Sequence, residues 1–284
     1  MNRLRRLGSR FYLDLVLLFL YAPIFVLIVF SFNRNKSRTL WGGFTLDWYA
    51  RLFADSAVLR SLYVTVLVSV MAALVSTVLG TVAAVGISAL NRRLRTLMMH
   101  VTYLPVLSPD IITGVSLMLL FVWLMHLQLG FVTLLLAHIS FDVPYVILSV
   151  YPKLRQLDPH LYEAALDLGA HPLAAFRRVV LREILPGIFT GLLLAFTMSL
   201  DDFVISYFTS GPDSQTLSIT IYSMTRKHVS PEINALSTLL FVAVMALLVV
   251  INIRGRRDAP TPLRTVRQVD PPAEGRGLSE DGNR

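Results

Sequence analysis

Long apolar stretches separated by short polar segments dominate the pattern of this chain. Each stretch has about twenty residues or more, which at 1.5 Å per residue is enough to cross a hydrocarbon layer roughly 30 Å thick. The pattern therefore predicts an all-α polytopic membrane protein with six transmembrane helices. The predicted spans are residues 11–32, 60–89, 99–125, 131–151, 183–207 and 234–253.

Positive charge at the ends of the spans predicts their orientation, because loops rich in Lys and Arg stay in the cytoplasm. The basic segments are residues 1–10, 91–97, 152–182 and 254–257. The first outer loop, 33–59, is also basic, which weakens the asymmetry without reversing it. We therefore expect a cytoplasmic N-terminus (1–10), a six-span domain (11–253) with a cytoplasmic loop at 152–182, and a cytoplasmic tail (254–284). The tail is rich in Pro, Gly and Arg, and we expect it to be disordered.

Composition supports a membrane protein and excludes several other classes. Hydrophobic residues make up 55% of the chain and charged residues 15%, with a mean hydropathy of +0.63. The net charge of +8 lies mainly at span ends, so we expect lipid contact and no nucleic-acid partner. The absence of cysteine excludes disulfides and thiolate sites. No phosphate-binding G-x-x-x-x-G-K-[ST] motif or hydrolase motif is present, so we expect a transport subunit and not an enzyme. The histidines lack metal-ligand spacing, and no metal site is expected.

Carboxylates inside the predicted spans are the first candidate site. Asp110 lies in span three, Asp142 in span four, and Asp201 and Asp202 in span five, while these spans contain no Lys or Arg. Each acid costs roughly 2.5–3.5 kcal/mol near a helix centre, so unpaired acids predict a cavity that receives a cation. Three alternatives remain open: Asp201 and Asp202 lie among headgroups, Asp110 caps a broken helix, or Asp142 is protonated and packed against a neighbour.

Aromatic residues of the first outer loop are a second candidate set. Trp48, together with Trp41 and Tyr49, could stack on a cationic amine. The alternative is that these rings belong to an interfacial aromatic belt.

The cytoplasmic loop 152–182 has the local signals of two short helices at an angle. Asp158 can cap the first helix, and Pro159 suits its first turn. Gly169 can end it in the left-handed conformation, and Pro172 can begin the second helix. A rigid elbow outside the bilayer suggests that another protein docks on it.

The elbow also carries a family pattern: Glu163-Ala164-Ala165, three residues, Gly169, and then Val179 and Leu181. This pattern resembles the EAA loop of bacterial ABC importer permeases, in which a coupling helix docks on a separate ATPase. The resemblance implies an ATPase-docking set, which is Glu163, Ala164, Ala165, Gly169, Ala170, Pro172 and Phe176. Arg182 stands where the family usually has Pro, and Pro186 would then have to break the helix.

Further segments resemble the second permease of spermidine/putrescine importers. They are Ser108-Pro109-Asp110-Ile111, residues 128–131, residues 137–141, residues 199–206 with 209–212, and residues 231–236. The resemblance implies the type I ABC importer (MetI-like) fold in the bacterial inner membrane, with polyamine transport by alternating access. The implied substrate pathway is Trp48, Asp110, Asp142, Asp201 and Asp202. Asp142 departs from the neutral residue expected after Phe141.

The resemblance also implies partners. These are a homologous second permease, two ATP-binding subunits and an extracytoplasmic polyamine-binding protein. This chain would bind no cofactor, because ATP and Mg belong to the ATPase. Two alternatives stay open: an ABC permease for another ligand, such as Fe³⁺ or a modified amine, and an ion-coupled secondary transporter or cation channel.

Overall fold

The computed structural model describes residues 2–35, 40–227 and 231–257, and within them the regular elements are helices. Most of the predicted disordered tail lies outside the described residues. Contacts divide the chain into two units. The first is Met1–Thr238, which holds the candidate site described below. The second begins at Leu239, and its described part is the end of one helix. The helices are α1 (Asn2–Ser31), α2 (Asp47–Ala54), α3 (Ser56–Ala89), α4 (Arg92–Leu107), α5 (Asp110–Leu119), α6 (Phe131–Gln156), α7 (Pro159–Asp167), α8 (Pro172–Ala175), α9 (Leu181–Asp201), α10 (Val204–Thr209), α11 (Leu217–Lys227) and α12 (Pro231–Arg257).

Three of these helices, α3, α6 and α9, pack against one another and form the main core. Small residues let their backbones approach closely, as membrane helices require when no hydrophobic effect drives them together. A Cβ at Gly80 of α3 would lie 2.6 Å from Cβ of Val146 on α6. A Cβ at Gly191 of α9 would lie 3.2 Å from Cα of the same valine. Val146 is therefore enclosed by glycines from both neighbouring helices.

The number of membrane spans differs from the prediction of six. Four helices are long and apolar enough to cross a membrane. These are Tyr12–Ser31, Ser56–Ala89, Phe131–Gln156 and Pro172–Asp201. A bent pair adds a fifth candidate, and the apolar part of α12, Glu232–Ala246, is shorter. The described residues therefore support four or five spans by length, and the count of six is not confirmed.

The predicted third span, 99–125, is broken in the structure. Arg92–Leu107 and Asp110–Leu124 meet at an angle of 102°. Ser108 has an extended backbone, with ψ at 141°, because Pro109 disfavours a helical conformation at the residue before it. The second half ends in a π-helical turn, Leu120–Leu124.

The predicted fifth span, 183–207, is also interrupted. Helix α9 ends at Asp201, Asp202 is extended (φ −64°, ψ 131°), and α10 begins at Val204. No proline or glycine lies at this break, so neither of the usual helix-breaking residues marks it in the sequence. Pro186, by contrast, lies inside α9 and does not break it, which corrects the expectation that it replaces the missing family proline.

We predict that Gly80→Ala lowers the stability of the purified protein by about 1–3 kcal/mol, the usual cost of overpacking a close helix contact. Gly86→Ala is the matched control, because it lies on the same helix and a Cβ there meets nothing within 4 Å. Thermal unfolding in detergent measures both. Equal melting temperatures for the two variants would contradict the close α3–α6 approach.

Candidate functional site

The two helix breaks lie against each other. Helix α5, which follows the first break, packs on α10, which follows the second, and α10 also packs on α6. A Cβ at Gly114 of α5 would lie 3.0 Å from the ring of Phe208 and 3.5 Å from Cα of Ile205. Irregular backbone at membrane depth is tolerated where it is buried in protein or lines a watery cavity, and discontinuous helices often form transport sites. This pair of breaks is therefore the candidate site.

Asp201 and Asp202 are adjacent in sequence but have different environments. The Asp202 side chain is 7% exposed. Its carboxylate accepts hydrogen bonds from the backbone N–H groups of Ile205 (3.2 Å) and Ser206 (2.7 Å). Asp202 therefore caps the start of α10 and is packed inside the protein. Asp201 is exposed at the last turn of α9.

His138 holds both sides of the second break from the neighbouring helix α6. Its Nδ1 is hydrogen-bonded to Oγ of Ser199 at 2.6 Å, and its Nε2 to Oγ of Ser206 at 3.0 Å. Nε2 also lies 3.8 Å from a carboxylate oxygen of Asp202, and the His138 side chain is 1% exposed. This network was not predicted from the sequence, in which His138 appeared only as a residue without metal-ligand spacing and within the family-like segment 137–141. The signal for this network in the sequence was a histidine, a polar residue, inside an apolar predicted span.

Asp142 lies one turn further along α6 and is fully buried. Neither of its carboxylate oxygens has a hydrogen-bond partner among the described residues. It is close enough to Asp202 to interact with it electrostatically. Tyr145, which packs against Phe141 at 5.2 Å, is similarly within electrostatic reach of Asp110 and Asp142. The structure thus gathers the predicted acids of three spans into one region.

Asp110 is the first residue of α5 and is exposed. Pro109 occupies the N-cap position, and no side-chain capping bond is present at this helix start. The alternative in which Asp110 caps the broken helix is therefore wrong. A carboxylate in the first turn is still stabilised by the helix dipole.

Trp48 has a packed environment that the sequence analysis did not foresee. It is 5% exposed, and its indole N–H donates a 2.8 Å hydrogen bond to the carbonyl of Asn33. The guanidinium of Arg51 lies 5.1 Å from its ring centroid. A substrate amine would have to displace Arg51 to stack on this ring, so the geometry favours a role in packing α2.

A second aromatic group beside Asp202 was missed. Phe203, Tyr207 and Tyr222 lie with ring centroids 4.9–6.2 Å apart. Arg226 lies 5.7 Å from the centroid of Tyr222. The position of Phe203 directly after the two acids was a signal in the sequence, but Tyr222 comes from a distant helix.

The cytoplasmic elbow forms as the local signals predicted. Asp158 accepts a 3.0 Å hydrogen bond from the backbone N–H of His160 at the start of α7. Gly169 has φ +85°, and its N–H donates to the carbonyl of Leu166 at 2.8 Å. Pro172 begins α8.

The docking residues predicted on the elbow fall into two groups. Glu163 is exposed and lies 3.5 Å from Nδ1 of His160. Ala164 is exposed, and Ala165 and Ala170 are half-buried. Phe176 instead begins a π-helical turn, Phe176–Val180, and lines an apolar groove of about 360 Å³ shared with α3 and α9. Phe176 is thus packed toward the membrane helices.

Two exposed leucines on either side of Gly169 were missed. Leu168 is 90% exposed and Leu173 is 71% exposed. Apolar side chains presented together on a polar loop are typical of a protein contact. They extend the predicted docking surface with the apolar area that a stable interface needs.

Residues 76–256 match the family model for the binding-protein-dependent transport system inner membrane component. The chain belongs to this family. It is therefore a multi-pass permease subunit of an ABC importer in the inner membrane, which confirms the transport class and the membrane location predicted from the sequence. The matched segment contains both helix breaks and the elbow.

Two named relatives resemble this permease over most of its length. The putrescine transport system permease protein PotI of Escherichia coli (strain K12) is 42% identical over 253 residues, which cover 86% of this chain and 90% of PotI. The spermidine/putrescine transport system permease protein PotC of Haemophilus influenzae is 36% identical over 255 residues, which cover 88% of this chain and 99% of PotC. These relatives confirm the predicted resemblance. They are permeases, in agreement with the prediction of a transport subunit and not an enzyme.

Solved structures confirm the fold of the permease. A chain of a bacterial ABC transporter that imports the acidic polysaccharide alginate superposes with a TM-score of 0.71 at 19% identity, covering 91% of this chain and 98% of that one. A chain of an amino acid ABC transporter with histidines gives a TM-score of 0.56 at 18% identity, covering 75% and 99%. The MetI-like fold prediction is therefore correct.

We predict that Asp202→Ala lowers stability by about 1–2 kcal/mol, because it leaves two amides at the start of α10 without their acceptor. Asp201→Ala, one residue away and exposed, should change stability by less than about 0.5 kcal/mol. Thermal unfolding of the purified permease in detergent compares them. A larger loss for Asp201→Ala would contradict the assignment of Asp202 as the cap.

Proposed function

We propose that this permease translocates polyamines such as putrescine and spermidine into the cell by alternating access. The observation that carries the proposal is the packing of α5 on α10, the helices that follow the two breaks. Asp110 begins α5 and Asp201 ends α9 just before the second break, and both acids are exposed. A polyamine is a flexible chain with an ammonium group at each end. Separate exposed carboxylates that form no ion pair with Lys or Arg among the described residues suit such a ligand. PotI, a putrescine transport permease, and PotC, a spermidine/putrescine transport permease, support the same substrate class.

The acids have different proposed roles along the pathway. Asp201 and Asp110 contact ammonium groups directly, because both are exposed. Asp202 acts through its position at the break, and Asp142, which is buried, becomes accessible to a cation only as the helices re-tilt. Trp48 stays at the periphery, where its ring is covered by Arg51.

The proposed assembly contains a homologous second permease, two ATP-binding subunits and an extracytoplasmic binding protein. Both termini of this chain and its elbow lie on the cytoplasmic side. The ATPase docks around Glu163, Leu168 and Leu173, while ATP and Mg bind to the ATPase and not to this chain. In one solved alginate transporter, the complex includes an alginate-bound periplasmic protein, which supports a partner of this kind.

We expect Asp201→Asn and Asp110→Asn each to reduce uptake of labelled putrescine by about tenfold or more, which corresponds to about 1.4 kcal/mol of lost stabilisation. Uptake is measured in cells that express the complete transporter. Asp213→Asn is the matched control, because that acid is 92% exposed and pairs only loosely with Arg60 at 3.8 Å.

Normal uptake by both variants at normal membrane levels would refute the pathway. If the wild-type transporter imports neither putrescine nor spermidine but still hydrolyses ATP, the polyamine assignment is wrong and a different ligand, such as Fe³⁺ or a modified amine, takes its place. Uptake that follows the membrane potential without the ATPase would favour a secondary transporter or channel.

We expect Leu168→Ser and Glu163→Ala to reduce uptake several-fold by weakening the ATPase contact. Glu183→Ala is the control, because Glu183 is exposed on α9 outside the elbow. Co-purification of the ATPase with a tagged permease measures docking directly. Unchanged co-purification in both elbow variants would place the ATPase contact elsewhere.

A further inference from the structure

One side chain from a neighbouring helix spans the break between α9 and α10. Ser199 lies in the last turn of α9 and Ser206 lies in α10, on opposite sides of the break. His138 bonds the first through Nδ1 at 2.6 Å and the second through Nε2 at 3.0 Å. An imidazole carries its two nitrogens at fixed positions in one rigid ring. The ring therefore holds α9 and α10 in fixed positions relative to each other and to α6.

The three hydrogen-bonded side chains are buried, so they depend on one another as hydrogen-bond partners. Ser199 is 3% exposed, and Ser206 and His138 are 0% and 1% exposed. A buried polar group left without a partner costs about 1–3 kcal/mol. In a neutral imidazole one nitrogen donates and the other accepts, and a hydroxyl can do either. All three side chains are therefore satisfied together only when both half-helices are in place.

We infer that His138 is a positioning residue that clamps the α9–α10 break. The clamp keeps Asp202 on the amides of α10 and leaves Asp201 exposed at the end of α9. His138 acts through the two serines, and no contact between His138 and substrate is needed. The consequence of this clamp for transport rests on the proposed function, whereas the effect of the clamp on the geometry of the break does not rest on it.

Thr133 on α6 provides a matched control. Its hydroxyl donates a buried 2.8 Å hydrogen bond to the carbonyl of Thr209 at the end of α10. This bond ties α6 to α10, as His138 does, but it does not cross the break. Thr133→Val therefore removes a comparable α6–α10 bond, together with the bond that this hydroxyl accepts from the N–H of Gly130 at the start of α6, and leaves the clamp intact.

The test is a distance measurement across the break. The chain has no cysteine, so Phe189→Cys in α9 and Tyr207→Cys in α10 place spin labels at two exposed positions without further changes. Pulsed EPR is recorded on the full chain in the assembled transporter, in lipid and without ligand. We expect a distance distribution at least about twice as wide in His138→Ala as in the parent or in Thr133→Val. His138→Gln, whose amide carries both a donor and an acceptor, should narrow it again.

Equal widths in His138→Ala and Thr133→Val would overturn the clamp. If His138→Ala does not assemble, Ser199→Ala and Ser206→Ala each remove one arm, and unchanged widths in both would overturn it as well. Uptake separates this inference from the proposed function. Should the wild-type transporter carry no polyamine while the widths still respond to His138, the substrate proposal falls and the clamp stands.

Discussion

A helix can be broken inside a membrane only if the protein itself satisfies the backbone groups that the break releases, since hydrocarbon offers no partner. The two breaks meet this constraint differently. At the first, Pro109 has no N–H to satisfy, and the hydroxyl of Ser108 donates to the carbonyl of Leu104 at 2.8 Å. At the second, the carboxylate of Asp202 accepts the N–H groups of Ile205 and Ser206. The second break is therefore capped by a residue that belongs to it, whereas the start of α5 at the first break has no side-chain cap.

This constraint separates acids that a hydropathy pattern treats alike. The carboxylate of Asp202 accepts hydrogen bonds from backbone N–H groups and lies near His138, so contacts within the protein already engage it. Asp110 and Asp201 are exposed, and their charges remain available to a ligand. The need to satisfy the backbone N–H groups of α10 thus engages the carboxylate of Asp202, whereas the adjacent carboxylate of Asp201 takes no part in it. Adjacent position in a sequence does not imply a shared role.

The sequence predicted features whose causes are local. Asp158, Gly169 and Pro172 define the elbow through capping and left-handed backbone, and Pro109 explains the bend of the third span. The break at Asp202 lacks proline and glycine, and its local signal is the acid itself, whose carboxylate accepts from N–H groups three and four residues further on.

Features that depend on distant residues were not predictable in the same way. The bonds of His138 join residues 61 and 68 positions away. The burial of Trp48 depends on Asn33, and the groove that receives Phe176 depends on α3. Composition could indicate that these side chains are unusual for a membrane span, but only packing decides which neighbours satisfy them.

The elbow and the second break are ends of the same element. Pro172–Asp201 runs as one helical stretch of 30 residues through the π-helical turn and past Pro186. At 1.5 Å per residue this is about 45 Å, longer than the hydrocarbon layer. Near Gly187 this stretch packs closely against α6, because a Cβ at that glycine would lie 3.0 Å from the carbonyl oxygen of Ser149. In the proposed mechanism, a force applied at the elbow would tilt α9 about this contact and act on the break at its other end, which His138 spans.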